Sequence, residues 1–349
     1  MAKLLITGGA GFIGGNFTHF WRSRHPNDEV TVLDALTYAG NRATIADVPN
    51  VELVVGNICD TPLVERLLRE REIDTLVHFA AESHVDRSID APDDFIETNV
   101  VGTHSLLKAA RNVWLEGSGR RHRFHHVSTD EVFGSLGPND PPFSEVTAYA
   151  PNSPYSASKA ASDHLVRAYH HTFGLDVTTS NCSNNYGPYQ YPEKLIPFFL
   201  INALSGKPLP IYGDGLNVRD WLHVEDHCRG IEAVLSRGLP GETYNIGGGQ
   251  ELTNLSVIEV ICAGVDDAFA NNPGLASRFP AAPAANGLPT ASLKTFVEDR
   301  KGHDRRYAID EAKARADLDY SPTYDFWRGL AETLDWYLAN ENWWRPLVK

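Results

Sequence analysis

The sequence predicts an α/β fold, with a doubly wound parallel sheet covered by helices and a smaller mixed α/β region after it. Short apolar runs alternate with segments of helical period through the first half of the chain, which is typical of βαβ units. A glycine cluster follows the first apolar run. After about residue 185 the alternation stops, and proline and glycine interrupt the chain, so we expect a second kind of structure there.

The individual elements follow from short β-rich runs and from apolar residues at helical spacing. Strands are predicted at 3–7, 29–33, 51–55, 74–79, 123–128, 175–180 and 242–246. Helices are predicted at 14–24, 61–71, 94–114, 155–173 and 224–236, and at the C-terminus through Trp336, Trp343 and Trp344. Residues 265–292 are rich in Ala, Pro, Gly and Asn, and they are predicted to be an irregular insertion or loop.

Composition excludes several classes of protein. The chain has 349 residues and a formal net charge of −14, which argues against a nucleic-acid surface. No apolar run approaches the roughly 20 residues that a membrane-spanning helix needs, and the N-terminus shows no signal-peptide pattern. The four cysteines are scattered, which favours a reducing cytoplasm and argues against disulfides or a metal site.

The glycine cluster Gly8-Gly9-Ala10-Gly11-Phe12-Ile13-Gly14 lies between a predicted strand and a predicted helix. Glycines at this spacing permit a tight turn and a close approach of a pyrophosphate to the helix N-terminus. Asp34 ends the next strand, where a carboxylate can bind ribose hydroxyls and repel a 2′-phosphate. The alternative is a glycine-rich turn and an unrelated acid. The register of strand, loop, helix and acid favours a Rossmann-type fold that binds NAD.

Tyr155 and Lys159 are four residues apart in a predicted helix and therefore share one face. A cation near a phenol favours the phenolate, so the pair predicts a lowered tyrosine pKa and a proton acceptor. Without other evidence, a tyrosine and a lysine at this spacing are more often surface residues than catalytic ones. The preceding dinucleotide pattern and the hydroxyl pair Ser128-Thr129 favour the catalytic interpretation.

Asp130 and Glu131 are adjacent acids that directly follow a predicted strand. They are either a solvated turn or an acid and a base that face a substrate. Two neighbouring carboxylates repel each other, so different surroundings can hold one protonated and the other ionised.

These residues and longer motifs resemble the extended short-chain dehydrogenase/reductase family and, within it, the nucleotide-sugar dehydratases. The resemblance covers nearly the whole chain, and the acid pair distinguishes it from the related epimerases. The matching motifs are TGGAGFIG (7–14), DALTYAGN (34–41), FAAESHVDRSI (79–89), TNVVGT (98–103), STDEVFG (128–134), YSASK (155–159), SNNYGPYQYPEKLIP (183–197), RDWLHVEDH (219–227), YNIGGG (244–249) and GHDRRYAID (302–310).

The resemblance implies an internal redox cycle on dTDP-glucose, in which the sugar is oxidised at C4, loses water across C5 and C6, and is reduced at C6. Tyr155 would be the base at the 4-hydroxyl, with Lys159 and Thr129 assisting. Glu131 would be the base at C5, and Asp130 the acid at the 6-hydroxyl. CDP- and UDP-sugar dehydratases and a UDP-sugar 4-epimerase stay open as alternatives, and a non-catalytic NAD-binding regulator or scaffold is disfavoured because these catalytic residue types are all present.

The resemblance also implies a set of binding residues. The residues expected to bind NAD are Gly8, Gly11, Phe12, Ile13, Gly14, Asp34, Thr37, Asn57, Ile58, Ala80, Ala81, Ser83, Thr98, Tyr155, Lys159 and Asn185. Those expected to bind the nucleotide sugar are Ser83, His84, Thr129, Asn184, Lys194, Leu195, Pro210, Tyr212, Arg219, Asn254, His303 and Tyr307. Arg305 and Arg306 are further candidates for the diphosphate, although either could be a surface charge.

Four positions depart from the family pattern: Gly15, Asn57, Phe133 and Lys301. Asn57 can still accept a hydrogen bond from an adenine amino group through its side-chain carbonyl oxygen, but without charge assistance. Phe133 removes only a hydroxyl, so we expect the acid pair to stay in place.

The resemblance implies two domains and a homodimer that pairs through a four-helix bundle including the YSASK helix. The NAD-binding domain is predicted to comprise residues 1–185 and about 223–250, and the nucleotide-sugar domain about 186–222 and 251–349. No metal ligand set is expected among the histidine pairs.

Overall fold

The computed structural model describes residues 1–299 and 303–348. Lys301, and Gly302 of the last motif, lie outside the described residues. Its strands are β1 (Lys3–Thr7), β2 (Glu29–Asp34), β3 (Val51–Val55), β4 (Thr75–His78), β5 (Arg123–Thr129), β6 (Val177–Cys182), β7 (Asn184–Tyr186), β8 (Leu209–Tyr212), β9 (Val218–His223), β10 (Thr243–Ile246), β11 (Glu251–Thr253) and β12 (Lys294–Val297).

The α-helices are α1 (Phe12–Arg24), α2 (Thr61–Glu70), α3 (Val85–Asp90), α4 (Asp93–Phe95), α5 (Thr103–Ala110), α6 (Pro154–Phe173), α7 (Leu195–Leu204), α8 (Val224–Arg237), α9 (Asn254–Asn271), α10 (Gly274–Arg278), α11 (Ala312–Leu318), α12 (Phe326–Ala339) and α13 (Glu341–Trp344). Among the described residues, none of these helices has the length and apolar character needed to span a membrane.

Strands β1 to β6, together with β10 from later in the chain, form a seven-stranded sheet in the order β10-β6-β5-β4-β1-β2-β3. Every neighbouring pair in it is parallel. Apolar residues of α2, α5 and α6 cover one face, and apolar residues of α1 and α8 cover the other. The order 3-2-1-4-5-6 is that of a Rossmann fold, which confirms the predicted fold class. The direction in which the strands are added to the sheet reverses between β1 and β4, and sheets of this kind bind ligands at that switch point.

The remaining strands form two small sheets, β11-β9-β7 and β12-β8. Around them, α7, α9 and α12 pack into a separate apolar core that includes the buried aromatics Tyr186, Trp221, Phe326, Tyr337 and Trp344. This second region combines small sheets with helices, so it has the mixed α/β character that was predicted. The exact division of the chain into two domains stays a prediction.

The prediction for residues 265–292 is wrong. Helix α9 continues to Asn271, α10 follows, and Leu275, Phe279 and Ala282 are buried in the second core. The side chain of Thr290 also donates a 2.6 Å hydrogen bond to Asp266. Alanine- and proline-rich sequence can therefore form short packed helices when apolar side chains recur within it.

The long helix predicted at 94–114 is present but irregular. It begins at Asp93 and runs on to Ser118, and two of its segments, Ile96–Gly102 and Arg111–Ser118, are π-helical. π-Helical turns often occur near functional sites. Here the first segment places Asn99 so that its side chain bonds both the backbone of Glu82 and the hydroxyl of Ser158.

Candidate active site

The carboxyl ends of β1, β2, β4, β5 and β6 open onto one pocket of about 320 Å³. All the residues predicted to bind NAD line this pocket, and so do Thr129, Asp130 and Glu131. Of the residues predicted for the nucleotide sugar, Ser83, Thr129, Asn184 and Lys194 line it. The structure thus brings the predicted cofactor and catalytic residues together, and their individual roles stay predictions.

The glycine loop is shaped by contacts that leave no room for side chains. Gly8 has a φ of 71°, and a Cβ there would lie 2.6 Å from the backbone nitrogen of Ala80. A Cβ on Gly14 would lie 2.4 Å from the carbonyl oxygen of Gly8. A Cβ on Gly11 would meet only that same oxygen, at 3.3 Å. The loop therefore holds α1 close to β1 and leaves open space at its N-terminus, where unbonded N–H groups favour an anion.

Asp34 ends β2 and is held by the backbone. One carboxylate oxygen accepts the N–H of Ala10 at 2.9 Å and the other accepts the N–H of Leu36 at 2.8 Å. Burial raises the pKa of Asp34, and these two N–H groups oppose the rise. Each oxygen retains a lone pair, so the carboxylate can also accept ribose hydroxyls.

Asp130 and Glu131 occupy a short 3₁₀ turn that directly follows β5. The Asp130 side chain is buried, with only 2% of the residue exposed. Thr129 donates a hydrogen bond of 3.3 Å to one oxygen, and the other has no hydrogen-bond partner. Burial, the adjacent Glu131 carboxylate and Asp220 raise the pKa of Asp130 well above its usual value. This environment favours the protonated form of the Asp130 carboxyl group.

Tyr155 and Lys159 lie on one face of α6, but their electrostatics differ from the prediction. Lys159 donates its hydrogen bond to the carbonyl of Val127 at 2.8 Å. Burial, together with the nearby Glu131, raises the pKa of Tyr155 well above 10 instead of lowering it. The prediction of a lowered pKa was wrong because it counted a neighbouring cation and omitted the cost of burying a phenolate.

A buried polar network underlies these residues. Asp163, one turn beyond Lys159 on α6, accepts hydrogen bonds from Ser128 at 2.9 Å and from Tyr149 at 2.9 Å, and it contacts the ring of His126 at 3.1 Å. Burial lowers the pKa of Lys159, and the Asp163 carboxylate opposes this. Asp163 thus helps keep Lys159 charged. The sequence prediction missed it, although its i+4 spacing from the lysine was visible.

The other residues predicted for the nucleotide sugar lie outside this pocket. The Arg219 guanidinium lies 4.4 Å from the ring centroid of Tyr307 and donates to the carbonyl of Asp304 at 3.0 Å. The charge of Arg219 lowers the pKa of Asp130 against the larger effect of burial, so this group adjoins the acid pair. His84, Leu195, Pro210, Tyr212, Asn254 and His303 lie at the starts of α3, α7 and α9, on β8 and in the segment before Tyr307.

Arg305 and Arg306 already have acidic partners. Arg305 pairs with Asp214 at 2.9 Å, and Arg306 pairs with Glu251 at 2.5 Å. A role in diphosphate binding would require these pairs to be broken, so both are weaker candidates than Lys194 or Arg219. In the described ranges, no group of three or more His, Cys, Asp or Glu side chains is arranged to hold a metal ion.

Several pocket residues were not singled out from the sequence, although most lie within the quoted motifs. The additional lining residues include Tyr38, Glu82, Cys182, Gln190, Tyr191 and Glu193. Tyr38 belongs to DALTYAGN, and Gln190 and Tyr191 to SNNYGPYQYPEKLIP. The motifs themselves were the signal, because a polar or aromatic residue inside a loop motif commonly faces a ligand.

Comparisons with known proteins agree with this geometry. A family model described as GDP-mannose 4,6 dehydratase matches residues 5–333. A dTDP-glucose 4,6-dehydratase from Xanthomonas campestris pv. campestris is 54% identical, and the match covers 98% of this chain and 95% of the relative.

Solved structures give the same result. A dTDP-glucose 4,6-dehydratase from Streptomyces venezuelae, solved with NAD bound, has a TM-score of 0.87 and 48% identity, covering 99% of this chain and 100% of that chain. A dTDP-glucose 4,6-dehydratase from Bacillus anthracis in complex with NAD has a TM-score of 0.85 and 45% identity over all of both chains. The resemblance seen in the sequence is therefore confirmed, and the chain belongs to the family of nucleotide-sugar 4,6-dehydratases that the GDP-mannose 4,6 dehydratase model describes.

Proposed function

We propose that the protein converts dTDP-glucose to dTDP-4-keto-6-deoxyglucose and water, with NAD as an internal hydride carrier. The observation that supports this most strongly is the buried Asp130, whose pKa is raised well above its usual value, beside Glu131 and in the same pocket as Tyr155. An elimination needs one protonated and one ionised group at neighbouring atoms, whereas an epimerisation does not. The names of the similar dehydratases support the same substrate.

The pocket fits NAD on its own geometry. The space at Gly11 and the first turn of α1 would receive the pyrophosphate, and Asp34 would accept the ribose hydroxyls of the adenosine half. Asn57 lines the same end, but its side-chain oxygen already accepts the N–H of Cys59 at 2.9 Å, which leaves one lone pair for a ligand. Bound NAD would supply a hydride acceptor for C4 of the sugar and, once reduced, a hydride donor for C6.

In the first half of the reaction, Tyr155 removes the proton of the 4-hydroxyl. Tyr155 can accept this proton only as the phenolate, after its own proton has passed to solvent, and Lys159 is the cation on the same helix face that can stabilise the phenolate. The Thr129 hydroxyl lowers the pKa of Tyr155, which partly offsets the effect of burial. The same hydroxyl can bond the 4-oxygen of the sugar.

In the second half, the acid pair removes water. The new 4-ketone acidifies the proton on C5, which Glu131 accepts. Asp130 donates its proton to the departing 6-hydroxyl, and this requires the raised pKa that burial gives it. Because the Glu131 carboxylate contributes to the raised pKa of Asp130, a change at one acid should also affect the other.

We further propose a homodimer and a cytoplasmic location. Exposed apolar side chains at Ile89, Ile96 and Val101, between 42% and 49% exposed, lie on the α3-to-α5 stretch and support a buried partner surface there. Light scattering at micromolar concentration should give twice the mass of the 38.5 kDa chain. A monomer would contradict the dimer.

Incubation with dTDP-, UDP- and CDP-glucose tests the reaction and the base preference together. We expect the alkaline absorbance of a 4-keto sugar with dTDP-glucose and much weaker signals with the other two. Formation of a 4-epimer without this absorbance would favour the epimerase. No product from any of the three would contradict the proposed function.

A further inference from the structure

Three aromatic and cationic side chains from separate segments of the chain meet beside the pocket: Tyr38 and Tyr191 line it, and Arg87 contacts Tyr38. Tyr38 follows β2, Arg87 lies in α3, and Tyr191 lies between β7 and α7. The guanidinium of Arg87 lies 3.7 Å from the ring centroid of Tyr38. The ring of Tyr38 in turn meets Tyr191 edge-on, with centroids 5.6 Å apart and planes at 81°. We call these three residues the clasp.

Two polar contacts cross the pocket beside the clasp. Lys194 donates a hydrogen bond of 2.8 Å to the carbonyl of Ser83. The ring of His84 lies 3.9 Å from the Glu193 carboxylate. The segment around α3 therefore meets the segment before α7 at several points, and Tyr38, Ser83, Tyr191, Glu193 and Lys194 all line the pocket. These contacts therefore join separate segments that line the pocket in which the cofactor is expected.

The proposed reaction gives a reason for the protein to retain its cofactor. The sugar loses one hydride at C4 and gains one at C6, so the reaction consumes no external oxidant or reductant. One bound cofactor can complete both transfers only if it stays on the protein between them. A carrier that left early would strand the 4-keto sugar on a protein that cannot reduce it.

We propose that the clasp of Tyr38, Arg87 and Tyr191 retains the cofactor, so that its bound lifetime exceeds one turnover. This rests on the proposed function, because retention matters only for an internal redox cycle. A surface-exposed cation–π contact contributes enough to slow release about two- to fivefold, and an aromatic edge contact contributes a similar factor or somewhat more. Tyr38 makes both contacts, so it should matter most.

The test is a release experiment on the full chain. Protein loaded with NADH is mixed with excess NAD, and the loss of NADH fluorescence gives the release rate. We expect release to be about threefold faster for Arg87→Met and about tenfold faster for Tyr38→Leu. Turnover of the two faster variants should also come to depend on added NAD.

A matched control is Arg328→Met. Arg328 lies 4.8 Å from the ring of Tyr324, and neither residue lines the pocket, so release should not change. Because Arg87 is exposed, we expect Arg87→Met to fold, and this variant tests the clasp even if Tyr38→Leu does not fold. Unchanged release in Arg87→Met would overturn the clasp, and with normal sugar turnover it would leave the proposed function standing. Faster release without any sugar product would support the clasp and contradict the function.

Discussion

Replacing Asp130 by asparagine should make the protein more stable and nearly inactive at once. The side chain is 2% exposed, and one of its oxygens has no hydrogen-bond partner. Asparagine keeps the shape and can accept the hydrogen bond from Thr129, but it can neither ionise nor donate a proton as an acid does. The substitution therefore separates the effect of this carboxyl group on folding stability from its role in the reaction.

The stability change follows from the raised pKa of Asp130. The unfolded chain releases this proton near the ordinary carboxyl pKa, whereas the folded chain holds it up to a higher pH. Between these two pKa values the folded state binds the extra proton, so stability falls as pH rises. The loss is up to about 1.4 kcal/mol for each pH unit in that window. Asp130→Asn removes this loss, so its free energy of unfolding should exceed that of the parent at pH 7 by at least that order.

The activity change has the opposite sign. Loss of a positioned general acid slows a reaction by about 10²- to 10⁴-fold, which corresponds to about 3 to 5 kcal/mol in the barrier. Urea unfolding at several pH values between 4 and 8 gives the stability, and the alkaline absorbance of the 4-keto product gives the rate. Asp335→Asn, on the exposed face of α12, is the control and should alter neither.

A variant that is less stable than the parent at pH 7, with an unchanged slope of stability against pH, would refute the reasoning. So would a variant that retains the parent rate of product formation. The first outcome would mean that Asp130 is ionised in the folded protein. The second would mean that it is not the acid.

Three further predictions concern the acid pair and the cofactor end of the pocket. Glu131→Gln should permit oxidation but block elimination, so bound NADH should accumulate at 340 nm with dTDP-glucose; absence of that signal would contradict the order of steps. Gly14→Ala should weaken NAD binding at least tenfold by calorimetry because its Cβ would lie 2.4 Å from the Gly8 oxygen, whereas Gly264→Ala, with 3.7 Å of clearance in α9, should bind normally; equal affinity of the two variants would argue against the close-packed loop. Asn57→Asp should tighten NAD binding about two- to fivefold through a charge-assisted hydrogen bond, and weaker binding would show that Asn57 does not face the adenine.

Local chemistry explains what could be predicted from the sequence. The glycine loop, Asp34 and the YSASK pair are short motifs whose spacing is fixed by one turn or one helix face. Such spacing does not depend on how the rest of the chain folds. The parallel arrangement of the sheet followed from the alternation of strands and helices, because parallel strands need crossover connections, usually helices.

The remaining features depend on contacts between distant parts of the chain. Tyr38 meets Tyr191 only after the whole sheet has formed, and burial of Tyr155 reverses the pKa shift expected from its neighbour in the helix. The helices within residues 265–292 form because Leu275 and Phe279 pack into a core built by α7 and α12. Neither burial nor distant packing can be read from spacing alone.

The most direct test of the central claim follows a single hydrogen atom. dTDP-glucose with deuterium at C4 is converted to completion, and the position of the label is read by NMR. An internal redox cycle predicts deuterium at C6 of the 4-keto-6-deoxy product, transferred within one bound cofactor. Product without deuterium, or deuterium returned to C4 of an epimer, would contradict it.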